Sequence, residues 1–181
     1  ILCLADELRA EGGITLRTNI DPLDSIWKDR PSVPLDYAVV HPMKYAGESA
    51  ESKIARIRHA LRERHVEGML ISALDDIAWT LNLRGNDVHC NPVVVAYLLI
   101  SPDKVTLYIN PIKLTDEVRE YLASINVNTD LYENVGNGLL KYSGYNILLD
   151  PNETSYTLYN IYGDRPKVLM PSPVPSMKAV K

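Results

Sequence analysis

The chain has no phenylalanine, only two cysteines, no block of basic residues and no apolar run close to a membrane span. A bilayer-crossing helix needs roughly 20 apolar residues in succession, so no membrane partner is expected, and no signal-peptide pattern opens the sequence. Cys3 and Cys90 lie far apart with no CxxC spacing, which argues against structural zinc and for unpaired thiols in a reducing, cytoplasmic setting. Net charge is −4 with Lys and Arg scattered, so a nucleic-acid partner is not expected; phosphate binding needs clustered positive charge. HExxH, HxH and CxxC spacings are all missing, which removes the usual metal and nucleophile patterns. Eleven tyrosines stand beside the missing phenylalanine, and no function follows from that exchange.

What is present is an ordinary globular composition. With 181 residues, 46% of them apolar, the chain can bury a core and falls in the range of one or two domains. Ile1, Leu4 and Leu8 recur at helical spacing before Gly12 and Gly13, so residues 1–12 read as a helix tail and 14–18 as a short strand. Pro22 permits a turn into 23–27. Pro31, Pro34 and Pro42 punctuate a stretch without periodicity, read as a linker crossing the surface over 31–48. No initiator Met or cap precedes the first helix, and the proline-rich 171–175 breaks off as a new element begins. Both ends predict a piece of a longer polypeptide.

A compact unit is expected over 49–175. Ser49 can cap a helix whose stripe is Ile54, Ile57 and Leu61, and a buried strand follows at 69–71. Asp75 and Asp76 open a second helix running to about Leu83, and a strand is expected at 93–100. Ser101, Pro102, Asp103 and Lys104 form a turn, so 105–110 should pair back as a hairpin. Thr115 caps a third helix; strands are read at 130–133, 146–149 and 167–170, with a helix at 153–162 closed by Gly163. Helices alternating with strands, with one hairpin among them, predict an α/β fold with a mixed β-sheet flanked by helices.

The densest chemistry lies between Trp79 and Pro92. Asp87, His89 and Cys90 are too close in sequence to converge on one ion, and no third group is in place to orient a Cys–His nucleophile. Asp75 and Asp76 point about 100° apart on a helix and suit its positive end, which favours a structural role. Gly136, Asn137 and Gly138 lack the Lys and spacing of a phosphate loop and read as a turn before a short helix. His41, His59 and His65 have no ligand partners at useful spacing and read as surface residues. Arg84 can fork onto a carboxylate, either on a peptide or inside the protein, where Asp87 is the nearest acid. Asn91 before Pro92 suits a rigid turn. Two readings stay open for this loop: a structural latch, or the wall of a substrate cleft formed by Arg84, Asn86, Asp87 and His89.

IWKDRP at 26–31 followed by ALDDIAWTLNLRGNDVHCNPVVVAY at 73–97 resembles the three-domain Xaa-Pro aminopeptidases, also called aminopeptidase P. In that family the tryptophan–asparagine–arginine–glycine run lies in the middle domain, and MKAVK at 177–181 looks like the connector to the catalytic domain. The likeness runs along nearly the whole chain in order, while 111–165 is weakly diagnostic. It implies that residues 1–30 are the tail of a preceding domain and 31–48 a linker. Residues 49–175 would be a creatinase/prolidase N-terminal-like domain with a ribonuclease H-like motif, and 176–181 the start of the connector. It further implies a parent metallopeptidase that removes the N-terminal residue from peptides with proline second. Two divalent metals, typically manganese, would be held by two Asp, one His and two Glu in a C-terminal pita-bread domain and would activate a bridging hydroxide. None of those ligands can be placed here, so the fragment holds no cofactor and should not hydrolyse peptides alone. The resemblance implies homodimers, proline-containing peptides as partners, and a middle domain that shapes the cleft and supports dimerisation. The alternatives are a catalytically inactive relative serving as a peptide-binding scaffold, and a prolidase or creatinase; metal ligands beyond Lys181 would separate them.

Overall fold

The computed structural model describes residues 2–15, 17, 20, 23 and 25–179. Leu2–Gly12 form helix α1, and Gly13 follows at φ 62°. Of the strand expected at 14–18, residues 14, 15 and 17 are not in a strand, while Leu16 and Thr18 lie outside the described residues. Ile1, Pro22 and the last two connector residues, Val180 and Lys181, lie outside them as well. The segment read as a surface linker carries structure in its second half. Val39–Val40 form strand β1, and Met43–Ala46 form a single helical turn, α2, closed by Gly47 at φ 75°.

Helix α3, Ala50–Glu63, starts where its cap predicts: the Ser49 side chain accepts from the Ser52 amide at 3.2 Å. Its stripe of Ile54, Ile57 and Leu61 is buried. Strand β2 (Gly68–Ile71), helix α4 (Leu74–Leu81) and strand β3 (Leu83–Arg84) follow. Strands β1 and β3 pair antiparallel, with Val39 opposite Arg84. Strand β4 is Ala96–Ile100, shorter than expected because the residues before it bond to the polar loop. The Asp87 amide donates to the Val93 carbonyl at 3.2 Å, and the Val95 amide to the Asp87 carboxylate at 2.6 Å.

The hairpin closes as its turn predicts, with β5 (Val105–Ile109) antiparallel to β4. Thr115 caps α5 (Asp116–Ser124), which leads into β6 (Val127–Asp130). The expected strand at 130–133 is instead the end of β6 and a tight turn. The Asp130 carboxylate accepts from the Leu131 amide at 2.7 Å and the Asn134 side chain at 2.8 Å, which curls the chain. Gly136 and Gly138 lie inside helix α6 (Val135–Leu140) rather than in a turn. A Cβ on Gly138 would lie 1.8 Å from the Tyr108 hydroxyl, so glycine is required by close packing and not by a phosphate. Strand β7 (Ile147–Leu149), helix α7 (Tyr156–Tyr162), strand β8 (Lys167–Leu169) and helix α8 (Val174–Ala179) complete the chain.

The six-stranded sheet has the order β6-β5-β4-β2-β7-β8, antiparallel through β5, β4 and β2 and parallel at both flanks. Alternation along each strand sends side chains to opposite faces. Met69, Ile71, Leu98, Ile100, Leu107 and Leu148 pack with residues of α3, α4 and α5. Leu70, Leu99, Tyr108, Ile147 and Leu149 pack with residues of α6 and α7. Each fully buried aliphatic side chain contributes about 1.5–3 kcal/mol, so a sheet covered on both faces is the favoured arrangement for these continuous apolar strands.

Candidate functional site

Helix α4 ends at Asn82, which adopts φ 51° and ψ 41°. Asparagine tolerates this left-handed conformation better than residues without a short polar side chain, and it turns the chain sharply into β3. The side chain is then fully used. Its amide donates to the Glu48 carbonyl at 2.9 Å, and its oxygen accepts from the Lys53 ammonium at 2.6 Å. Lys53 also donates to the Trp79 carbonyl at 2.9 Å and lies 4.7 Å from the indole centroid. It is only 2% exposed.

These groups form one end of an open cleft of about 580 Å³, bounded by α2, the start of α3, the end of α4, β3 and α8. His41, Tyr45, Trp79, Lys53, Arg84 and Lys178 are among the residues that line it. Arg84 is half-buried and donates to the Ala78 and Leu83 carbonyls at 2.8 and 2.7 Å. It has no ion pair among the described residues. Burial pushes the Lys53 ammonium below its ordinary pKa, Glu48 opposes that, and Arg84 and Arg56 add to it. His41 is lowered from 6.5 by desolvation, then by the charges of Arg84 and Lys53. Its imidazole is therefore neutral at neutral pH.

At the rim, Lys178 bonds both Asp75 and Asp76. The acid pair is thus structural, although both carboxylates converge on one ammonium despite their divergent positions on the helix. The hydrogen bond from Lys178 lowers Asp75, whereas Asp76 is raised on balance: burial is the largest cause, Lys178 opposes it, and the charges of Asp75 and Asp150 add to it. For Lys178, burial opposes the charge, but the two carboxylates outweigh it and its pKa is raised.

The structure separates the four sequence candidates. Arg84 lines the cleft. Asp87 is buried and ion-paired with Lys113, so the loop contains a latch whose partner is not Arg84. The reason is local: Arg84 turns back onto the end of α4, while Asp87, beyond Gly85, points inward to the turn Pro111–Lys113. Asn86 and His89 are exposed and do not line the cleft. His41, read as a surface residue, is half-buried in it. Lys53 lies in no motif, and Asn82 and Lys178, though within the runs that carry the family resemblance, have no chemistry assigned by their spacing. Only the asparagine at the end of the apolar helix could have been found, as a left-handed helix stop.

Residues 29–181 match the family described as Creatinase/Prolidase N-terminal domain. The chain belongs to this family. A probable Xaa-Pro aminopeptidase P from Talaromyces marneffei is 35% identical, with 98% of this chain matched to 29% of the relative. Aminopeptidase P2 of Arabidopsis thaliana is also 35% identical, over 80% of this chain and 21% of its own length. The structure of X-prolyl aminopeptidase from Caenorhabditis elegans, described as a cytosolic enzyme with a di-nuclear active site, superposes with a TM-score of 0.91. It is 26% identical, over 99% of this chain and 30% of that one. An Xaa-Pro dipeptidase from Bacillus anthracis, 14% identical with a TM-score of 0.55, shares the fold. This creatinase/prolidase N-terminal domain chain therefore spans under a third of the length of these aminopeptidase P relatives.

Proposed function

We propose that the chain is the non-catalytic part of an Xaa-Pro aminopeptidase that releases the N-terminal residue from peptides with proline second. The observation that carries this reading is the likeness of 99% of the chain to the C. elegans enzyme. In this reading residues 1–30 end a preceding domain, 31–48 are a linker whose second half lies against the next unit, 49–175 are the middle domain, and 176–181 begin the connector. The middle domain shapes the active-site cleft and supports a cytoplasmic homodimer. Of the candidates Arg84, Asn86, Asp87 and His89, Arg84 is the one whose cleft position supports contact with a peptide.

Two divalent metals, manganese in this reading, belong to the catalytic domain; the di-nuclear site of the C. elegans enzyme supports the number. This chain does not fit them. Among the described residues no three His, Cys, Asp or Glu side chains gather to hold an ion, and Asp75 and Asp76 are engaged by Lys178. Its residues wall and orient; they do not activate water.

The test is Xaa-Pro cleavage by the full polypeptide with manganese, beside the 181-residue chain. The full polypeptide should cleave and the chain alone should not. Arg84→Ala in the full polypeptide should raise KM by about tenfold while kcat stays within about twofold, the mark of lost ground-state binding. An unchanged KM with a large loss of stability would make Arg84 a structural residue. No cleavage by the full polypeptide would favour a peptide-binding scaffold.

A further inference from the structure

We infer that the cleft lined by His41, Lys53 and Arg84 is a carboxylate-binding site. Three cations face it, and their charge balance differs. Lys178 is matched by Asp75 and Asp76. Lys53 and Arg84 bond only neutral acceptors among the described residues: the Trp79 carbonyl and Asn82 side chain for one, the Ala78 and Leu83 carbonyls for the other. Glu48, the acid on the cleft wall, is already taken by Arg56 at 2.6 Å and by the Ser52 hydroxyl at 2.7 Å.

Neutral acceptors satisfy donors without cancelling charge. A buried ammonium beside a half-buried guanidinium, with no acid in contact, keeps a desolvation cost that an incoming anion would offset. Arg84 is also pre-oriented for that anion. Its Nη1 is fixed by two carbonyls, while Nε and Nη2 have no acceptor among the described residues. A planar guanidinium edge held this way matches the two oxygens of a carboxylate. Neutral His41 adds a polar partner that does not compete with the cations for the anion, and the Trp79 ring offers an apolar surface to the carrier of the acid.

The carboxylate is either the C-terminus of a peptide or an Asp or Glu side chain. Naming a peptide as the carrier rests on the proposed function; the carboxylate chemistry does not.

NMR on the labelled chain separates these outcomes, because Trp79 and His41 report directly from the cleft. The probes are acetyl-Ala-Pro-Ala with a free carboxylate, the same peptide as its C-terminal amide, and acetyl-glutamate α-amide. The free acid should shift the Trp79 indole and His41 ring signals saturably, and the amide should bind at least about tenfold more weakly. The bound acid should also move the His41 titration upward, since it offsets Arg84 and Lys53; Tyr45, Glu48 and Lys178 complete the cleft wall. Arg84→Gln should weaken the acid by about tenfold or more. If that variant does not fold, Arg84→Lys, which keeps the charge and loses the fork, should still bind several-fold more weakly. Acetyl-glutamate α-amide binding as tightly as the peptide would uphold the carboxylate site and assign it to an acidic side chain, against the peptide-wall reading. Acid and amide binding alike, no saturation by any acid, or unchanged binding in the Arg84 variants would overturn the inference.

Discussion

At Asn82 backbone and side chain depend on each other. The left-handed backbone costs a Cβ-bearing residue about 1–2 kcal/mol, and a hydrogen bond to a charged group is worth about 1.5–3 kcal/mol. Asn82→Ala loses both, so we expect about 3 kcal/mol of destabilisation in urea unfolding, against about 2 kcal/mol for Asn82→Gly, which keeps the backbone freedom. Equal losses would mean that the φ 51° conformation carries no strain for alanine. His41 has a linked pH signature. Its folded pKa lies below 6.5, so the native state binds fewer protons than the unfolded chain below that pH. Its contribution is intact above 6.5 and declines as pH falls toward the folded value. Single residues were legible where their partners are local, as with the caps Ser49 and Thr115, each bonded three residues on. Lys53 was not: it sits beside Ile54 on the buried side of α3, and its acceptors lie 26 and 29 residues away.

The polar loop after β3 behaves as an element because one carboxylate organises it. Asp87 accepts from the Val95 amide and pairs with Lys113, and both side chains are essentially buried. Removing one member of a buried pair strands the other, which costs about 3–5 kcal/mol. Lys113→Met should therefore destabilise by that amount. The double variant Lys113→Met with Asp87→Asn should recover most of the loss, because an amide oxygen can still accept from Val95 without a charge. Urea unfolding of the four members of this cycle measures the coupling; additive losses would show that the pair does not act as a unit. The extent of this element was hidden in the sequence. Residues 93–95 are as apolar as β4, so nothing in their pattern shows that they bond to a loop instead of the sheet. The glycines of α6 were misread for a similar reason: their need is set by Tyr108, on the distant strand β5.

Across the molecule, local signals predicted the hairpin and the mixed sheet, but not the order of strands. Strand β2 lies between β4 and β7, and that choice depends on apolar faces meeting over long separations. The docking of α8 is likewise tertiary. Val174 is fully buried, Met177 packs against the same core, and the Ser172 amide donates to Asp150 at 2.7 Å before Lys178 reaches α4. Burial of Val174 contributes about 2 kcal/mol. The Lys178–Asp75 pair contributes under about 1 kcal/mol, because Asp75 is 61% exposed and solvent screens it. Lys178→Met should cost more than that at neutral pH, because it also strands the buried Asp76 carboxylate, and the loss should have a definite pH dependence. Without the ammonium, buried Asp76 has only desolvation and neighbouring acids acting on it, so its already raised pKa climbs further. A folded pKa above the unfolded value means the native state binds the extra proton, and stability is lost as pH rises through that window. The variant should therefore be closer to the parent near about pH 4 than near about pH 7. Urea unfolding at the two pH values decides it, and an equal difference at both would show that Lys178 does not govern the charge of Asp76.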